Sequence, residues 1–331
     1  MYYFEISPDL LGLRSNKLLS ISYGAKEVST EKFKIKINFF VEKEIKIPNK
    51  MEKFYLFHGK KDFNKIFYNH PLFLKKYAKL SFEMVNDHEY SIVINNFYWK
   101  LKNLTFRAGT FLSPIQHLEN VINACLLKNF YSLIYGACVA KDKKSILLLG
   151  PPSIGKTETV IEFVKNGYEF LSEDIVISDG RLLYSCPYTH GILIKSFKNL
   201  LIDYLDFLFP VHKIIHKNEK TLLDFFHNQT IKLKKKCKIN HVFLLERNIK
   251  DGVKKMEKPD KLRVLLTLNK ANFQWDTDPL IIAFSYFNRT LNLNELISNN
   301  NKIIDKICKK EFYIIKANNS KNFFRIINEN I

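Results

Sequence analysis

From residue 17 to residue 101 apolar and polar side chains mostly alternate. Phe33, Ile35 and Ile37 are interleaved with Lys34, Lys36 and Asn38, and an alternating run over residues 90–94 leads through Asn95 and Asn96 into residues 97–101. A period of two lines up one set of side chains on one face of a strand, so short antiparallel strands are predicted here, with the asparagines between them. Residues 61–79 are aromatic and basic and lose the alternation, so a helix or loop is expected. After Ser113 and Pro114 the period lengthens. Ile115, Leu118, Val121, Ile122, Cys125 and Leu126 then share one face of a helix whose first turn these two residues mark. The change of period divides the chain near residue 110. A smaller α+β domain rich in antiparallel strands is expected over 1–110, and an α/β domain over 111–331.

In the second part, residues 133–140 are apolar, residues 141–144 form a polar turn, and residues 145–149 are an apolar run of the kind covered on both faces of a sheet. Residues 168–172 read as a further strand, and Asp179-Gly180 as a hairpin turn into residues 181–184. Residues 242–245 read as another strand. Residues 279–309 are helical by pattern, with Leu291, Leu293, Leu296, Ile297, Ile303, Ile304 and Ile307 apolar. A last strand (311–317) and a last helix (321–327) close the α/β domain.

Composition narrows the class without naming a function. With 46% hydrophobic residues the chain can bury a sizeable core, and disorder is excluded. The net charge of +19 is carried almost entirely by lysine and favours acidic or phosphate-bearing partners. Neither an RNA-binding motif nor an aromatic stacking signature accompanies it, so nucleic acid is not the expected partner. Five cysteines, odd in number and never in a CxxC, provide neither a disulfide framework nor a zinc site. With an acidic residue at position 5 and no long apolar run, neither a signal peptide nor a membrane span is expected, and the expected compartment is the cytoplasm.

The chemistry begins after the run 145–149. Gly150-Pro151-Pro152-Ser153-Ile154-Gly155-Lys156-Thr157 satisfies GxxxxGK[ST], with an apolar strand before it and an amphipathic helix after it. In such a loop, backbone amides and the helix N-terminus face phosphate oxygens, the lysine reaches the β- and γ-phosphates, and the threonine hydroxyl can ligate Mg²⁺. The expected nucleotide contacts are therefore Gly150, Ser153, Ile154, Gly155, Lys156, Thr157 and Glu158. The helix turns Val160, Ile161, Phe163 and Val164 inward and stops at Gly167. The next strand ends in Glu173-Asp174, adjacent carboxylates that need a cation or hydrogen bonds to compensate them. An acid at a strand end beside such a loop can hold Mg²⁺ or accept a hydroxyl proton.

The segments Gly155-Lys156-Thr157-Glu158-Thr159, Lys165-Asn166-Gly167-Tyr168 and Leu171-Ser172-Glu173-Asp174 resemble the core of HPr kinase/phosphorylase and its relatives. Those relatives include the precursor-peptide kinases of lasso-peptide pathways. The resemblance covers residues 133–187 well and extends loosely through residues 241–247. It implies a P-loop kinase domain of the HPr kinase C-terminal type, binding ATP and Mg²⁺. By the same resemblance, Lys156 and the loop amides would hold the phosphates, and Thr157, Glu173 and Asp174 would serve the metal. Asp174 would also take the proton of the acceptor hydroxyl. Two positions depart from the family pattern: Glu173 replaces an aspartate, and Tyr135-Gly136 replaces a His-Gly. Without that imidazole the expectation is a forward kinase with little phosphorylase activity. A glycine-rich signature after the acids is missing too, so HPr is not the expected substrate.

The lysines at 232, 234, 235, 236 and 238 could bind an acidic leader peptide or phosphate but are read as a solvated loop, and Arg247 and Arg263 as surface residues that could instead reach phosphate. His190 could line a cleft. His212 and His216 have helical metal-pair spacing but no third ligand. The expected function is phosphorylation of a Ser or Thr hydroxyl on a protein or ribosomally made precursor peptide, recruited with help from residues 1–110. A small-molecule hydroxyl kinase and a non-catalytic ATP-sensing protein stay open, as does assembly as a homo-oligomer.

Overall fold

The computed structural model describes residues 1–19, 26–29, 32–72, 76–102, 112–142, 144–187 and 231–330. The boundary expected near residue 110, and His190, His212 and His216, lie outside the described residues. Within them the chain forms three sheets and seven helices.

The first sheet contains β1 (Tyr2–Ser7), β2 (Leu11–Ser15), β3 (Lys26–Glu27), β4 (Ile35–Glu42), β5 (Glu52–Phe54), β6 (Phe57–Gly59), β7 (Lys65–Pro71), β8 (Tyr77–Asn86) and β9 (Glu89–Asn95), in the order β3-β1-β2-β4-β9-β8-β7-β6-β5. The alternation is real. In β4, Ile35, Ile37, Phe39 and Val41 are buried while Lys36, Asn38 and Phe40 stay partly exposed. Three expectations are corrected. The central pairs β2–β4 and β4–β9 are parallel, because these partners are joined by crossovers, which alternation does not encode. Residues 61–79 contribute β7 and the start of β8 instead of a helix or loop. Ile66, Phe67 and Tyr68 are all buried there, so both faces are covered and the period vanishes. Residues 97–101 are not a strand either. The Asn95 side chain accepts from the Tyr98 amide and starts the short helix α1 (Asn96–Trp99).

Helix α2 (Pro114–Lys128) begins with a capping box between Ser113 and Gln116. Its apolar face joins one cluster of buried side chains that includes Ile37 and Ile92 of the first sheet and Leu133, Val176 and Phe284 farther on.

The remaining strands are β10 (Ser132–Tyr135), β11 (Ala137–Lys141), β12 (Lys144–Leu149), β13 (Glu169–Ser172), β14 (Ile175–Ser178), β15 (Leu182–Tyr184), β16 (Lys236–Lys238), β17 (His241–Arg247), β18 (Gly252–Lys255) and β19 (Phe312–Ala317). They build a four-stranded antiparallel sheet, β10-β14-β15-β16, and a six-stranded one, β13-β11-β12-β17-β19-β18, whose middle strands β12, β17 and β19 are parallel. The helices are α3 (Lys156–Lys165), α4 (Lys258–Asn272), α5 (Pro279–Phe287), α6 (Leu293–Cys308) and α7 (Ser320–Glu329). Val160 and Phe163 of α3 and Phe323 and Ile327 of α7 pack on Ile146, Leu148, Phe243 and Ile315 of the six-stranded sheet.

The apolar run 133–140 is two strands in two sheets. Gly136 is the break, and a Cβ there would stand 2.8 Å from the Leu148 carbonyl oxygen. Glu173 and Asp174 make the same crossing between β13 and β14. The Gly136 amide donates to the Asp174 carbonyl at 2.9 Å, so the two crossings lie side by side. The lysine run, expected to be a solvated loop, supplies edge strand β16, and Lys234 and Lys235 are paired with Glu169 and Asp9, each at 2.7 Å. Among the described residues no helix is long and apolar enough to cross a membrane.

Candidate active site

Residues 150–155 connect the end of β12 to the start of α3. Three of them have left-handed φ: Gly150 (156°), Ser153 (63°) and Gly155 (111°). A serine in that region carries strain of about 1–3 kcal/mol, and such residues concentrate where a loop is shaped for a ligand. Gly155 caps α3, and no side chain bonds the helix's first amides. Those donors are left facing outward at the positive end of the helix dipole, where an anion satisfies them. A Cβ on Gly155 would stand 2.8 Å from the Ser320 hydroxyl, because the first residue of α7 packs directly against the loop.

Lys156 follows, with a side chain only 5% accessible. Its ammonium donates to the carbonyls of Gly150 (2.9 Å) and Pro151 (3.2 Å) and to the Tyr135 hydroxyl (3.3 Å). It also lies 4.3 Å from the centre of the Tyr135 ring and 3.9 Å from Asp174 Oδ1. Burial lowers its pKa, while the charges of Asp174 and Glu173 oppose that fall. The lysine is thus folded back on its own loop, held by groups that a phosphate can replace.

The two acids have different environments. Glu173 is 3% exposed. Its Oε1 accepts the Thr157 hydroxyl, and its Oε2 is buried without a partner. Burial pushes its pKa up to about 7; the Asp174 charge adds to the rise, while the Thr157 bond and Lys156 work against it. Asp174 keeps 42% of its side-chain surface accessible. Its pKa is raised as well, first by desolvation, with Lys156 and a hydrogen bond from Tyr135 countering. Tyr135 itself is pushed upward by burial and by the neighbouring Asp174 charge, so its phenol stays protonated near neutral pH.

An orphaned, nearly buried carboxylate oxygen beside a threonine hydroxyl and an accessible aspartate is a set of hard oxygen donors. Among the described residues there is no group of three His, Cys, Asp or Glu side chains that would form an all-protein metal cage. Mg²⁺ does not require one, since it is commonly held by one or two carboxylates with water and phosphate oxygens. The residues therefore fit a Mg²⁺–nucleotide complex: Thr157, Glu173 and Asp174 on the metal side, Lys156 and the loop amides on the phosphate side.

Of the other expected contacts, Ser153 is exposed, Ile154 is half-buried, and Glu158 is exposed on the first turn of α3. Arg247, read as a surface residue, donates from Nε to the Ile154 carbonyl at 3.3 Å and so borders the loop. Arg263 pairs with Asp260 on the exposed side of α4. Two residues at the site had no individual signal in sequence. Ser320 has only its position after a strand, and Asn269 is the buried polar residue of a mostly exposed helix. Asn269 accepts from the Tyr135 amide at 3.0 Å and donates to the Leu133 carbonyl at 3.1 Å, filling the open edge of β10 and seating Tyr135.

No family model and no curated protein matches the sequence. Among solved structures the chain is similar to the HPr(Ser) kinase/phosphatase from Coxiella burnetii, with 13% identity over 37% of this chain and 77% of that chain and a TM-score of 0.22. A score this low gives no support for fold or activity.

Proposed function

We propose that this protein is an ATP- and Mg²⁺-dependent phosphotransferase, HPr kinase-like, that phosphorylates a Ser or Thr hydroxyl of a protein or ribosomally made precursor peptide. The observation that carries this reading is the meeting of Lys156, Thr157, Glu173 and Asp174 at the uncapped start of α3. Mg²⁺, when bound, supplies charge neutralisation on the phosphoryl oxygens. Glu173 and Thr157 would hold it, and the orphaned Glu173 oxygen would gain the partner that it lacks. Lys156 exchanges the carbonyls of Gly150 and Pro151 for phosphate oxygens and stabilises charge on the transferred group. Asp174, the accessible acid, would receive the proton of the acceptor hydroxyl. Tyr135, which lacks the imidazole of the family pattern, keeps its own proton, so the reaction runs forward, with little reverse attack by inorganic phosphate. Residues 1–110 are assigned to recruiting the acceptor.

The test is transfer of labelled γ-phosphate from ATP to Ser- and Thr-containing peptides by the wild type and by Asp174→Asn. The amide keeps the shape but cannot take the proton, so turnover should fall about 100-fold or more while ATP still binds. Near wild-type turnover in Asp174→Asn would remove the acid from the mechanism. ATP binding with no transfer to any hydroxyl acceptor would overturn the kinase reading.

A further inference from the structure

The face of the first sheet turned away from α2 carries a cationic hollow. Ile35, Ile37 and Phe39 of β4 are buried on the α2 side, so Lys36, Asn38 and Phe40 project from the other. Strand pairing sets two rows across that face, with Tyr3, Arg14, Asn38 and Ser91 in one and Glu5, Gly12, Lys36 and Glu89 in the next. Gly12 leaves a gap in the second row, and the Phe33 ring lies over it: a Cβ on Gly12 would stand 1.9 Å from Phe33. Beside that ring remains a cavity of about 50 Å³, bordered by Tyr3, Arg14, Lys36, Asn38 and Glu89. It has room for a group of a few heavy atoms. Arg14 lies 5.8 Å from the centre of the Tyr3 ring and 5.8 Å from that of Phe40, and its Nε is buried without an acceptor. The rings hold the guanidinium in place while its hydrogen-bonding capacity stays unused. Among the described residues neither Arg14 nor Lys36 forms an ion pair. Glu89, the acid at the cavity wall, already accepts from Asn38 at 2.8 Å. Two cations without counter-ions beside one engaged acid leave the hollow positive.

We infer that this hollow is a docking site for an acidic side chain, Asp or Glu, of the acceptor peptide, held by Arg14 and Lys36. The inference rests on the proposed transfer to a protein or peptide acceptor. A carboxylate matches the guanidinium fork through two parallel N–H···O bonds, and Lys36 adds a second positive charge. Tyr3 and Phe40 present their rings to Arg14, not to a base, which favours a carboxylate over nucleic acid as the occupant. The net charge of +19 draws acidic partners from a distance, and the hollow gives that attraction a place to become specific. Because this face points away from α2, the helix that leads into β10 and Tyr135, the docked acid belongs to a segment of the acceptor separate from its Ser or Thr.

The test is fluorescence polarisation of the full chain with a labelled Ser-containing peptide rich in glutamate, and with the same peptide carrying glutamine instead. The glutamate peptide should bind the wild type roughly tenfold or more tightly, since hydrogen bonds between charged groups are the strong ones. Arg14→Gln should remove that difference, and Lys36→Gln should reduce it about threefold. Lys43→Gln, which takes the same charge from an exposed position outside the hollow, should leave it unchanged. Arg14 is packed against two rings, so its replacement could disturb the sheet; the partly exposed Lys36 and the wild-type comparison do not depend on it. Equal affinity of the wild type for the two peptides would overturn the inference. An equal loss in Lys36→Gln and Lys43→Gln would do the same, by making the attraction a property of net charge alone. So would tighter binding of a labelled single-stranded DNA that Arg14→Gln weakens. Titration with ATP and Mg²⁺ keeps this result apart from the kinase reading. Arg14→Gln should bind ATP as the wild type does, and a wild type that binds the glutamate peptide but no ATP would overturn the proposed function while the docking site stands.

Discussion

Replacing Glu173 with glutamine keeps the shape of the side chain and removes a charge that the fold has taken out of water. The Glu173 carboxyl titrates at about 7 in the folded protein against an ordinary 4.5. That difference corresponds to roughly 3 kcal/mol. Because the folded pKa is raised, the carboxyl favours the folded state in its protonated form. This contribution is complete below pH 4.5, is lost as pH rises through 7, and leaves the full penalty of the buried anion above that. A glutamine has no such penalty, and its amide oxygen can still accept from Thr157. Urea unfolding at pH 8.5 should therefore find Glu173→Gln more stable than wild type by about 1–3 kcal/mol, and at pH 4.5 the two should agree within about 0.5 kcal/mol. Mg²⁺ with ATP should narrow the gap at pH 8.5 by stabilising only the wild type's anion. A variant destabilised equally at both pH values would refute the reasoning, since it would show that the burial of Glu173 does not penalise its charge.

Two further outcomes follow from the same geometry. Gly155→Ala forces a Cβ at φ 111° against the Ser320 hydroxyl and should cost about 1–3 kcal/mol in unfolding free energy and weaken ATP binding, whereas Gly167→Ala, at φ 83° with open space around it, should cost about 1 kcal/mol and leave ATP binding unchanged. Calorimetry on both variants separates loop shape from general strain, and equal affinities would contradict the assignment of the loop. Phosphorylated acceptor incubated with inorganic phosphate and Mg²⁺ should release little pyrophosphate, because Tyr135 holds its proton; release at the forward rate would contradict that role.

The parts of the site that are contiguous in sequence were legible there. The loop, the helix ending at Gly167 and the pair Glu173-Asp174 each carry a local pattern, and the structure places them as strand, turn and helix in the expected order. Contacts between distant segments were not legible. Nothing local tells that Leu133–Ala140 divides between two sheets, because Gly136 is the only interruption in a continuous apolar run. The hold of Tyr135 on Lys156, and of Asn269 on Tyr135, depends on that division. The same limit hid β7, where neighbouring residues are buried on both faces, and the parallel pairs around β4, which are set by crossovers. Helix α4 gave little periodicity because only Leu265 and Asn269 are buried on it.

The central claim is that Gly150–Thr157 holds the phosphates of a nucleotide. Isothermal titration of the wild type and of Lys156→Ala with ATP and Mg²⁺ tests it most directly. Removing a charge-assisted contact of about 1.5–3 kcal/mol should weaken binding by roughly 10- to 100-fold. Equal affinity in the two proteins would place the nucleotide elsewhere and contradict the account.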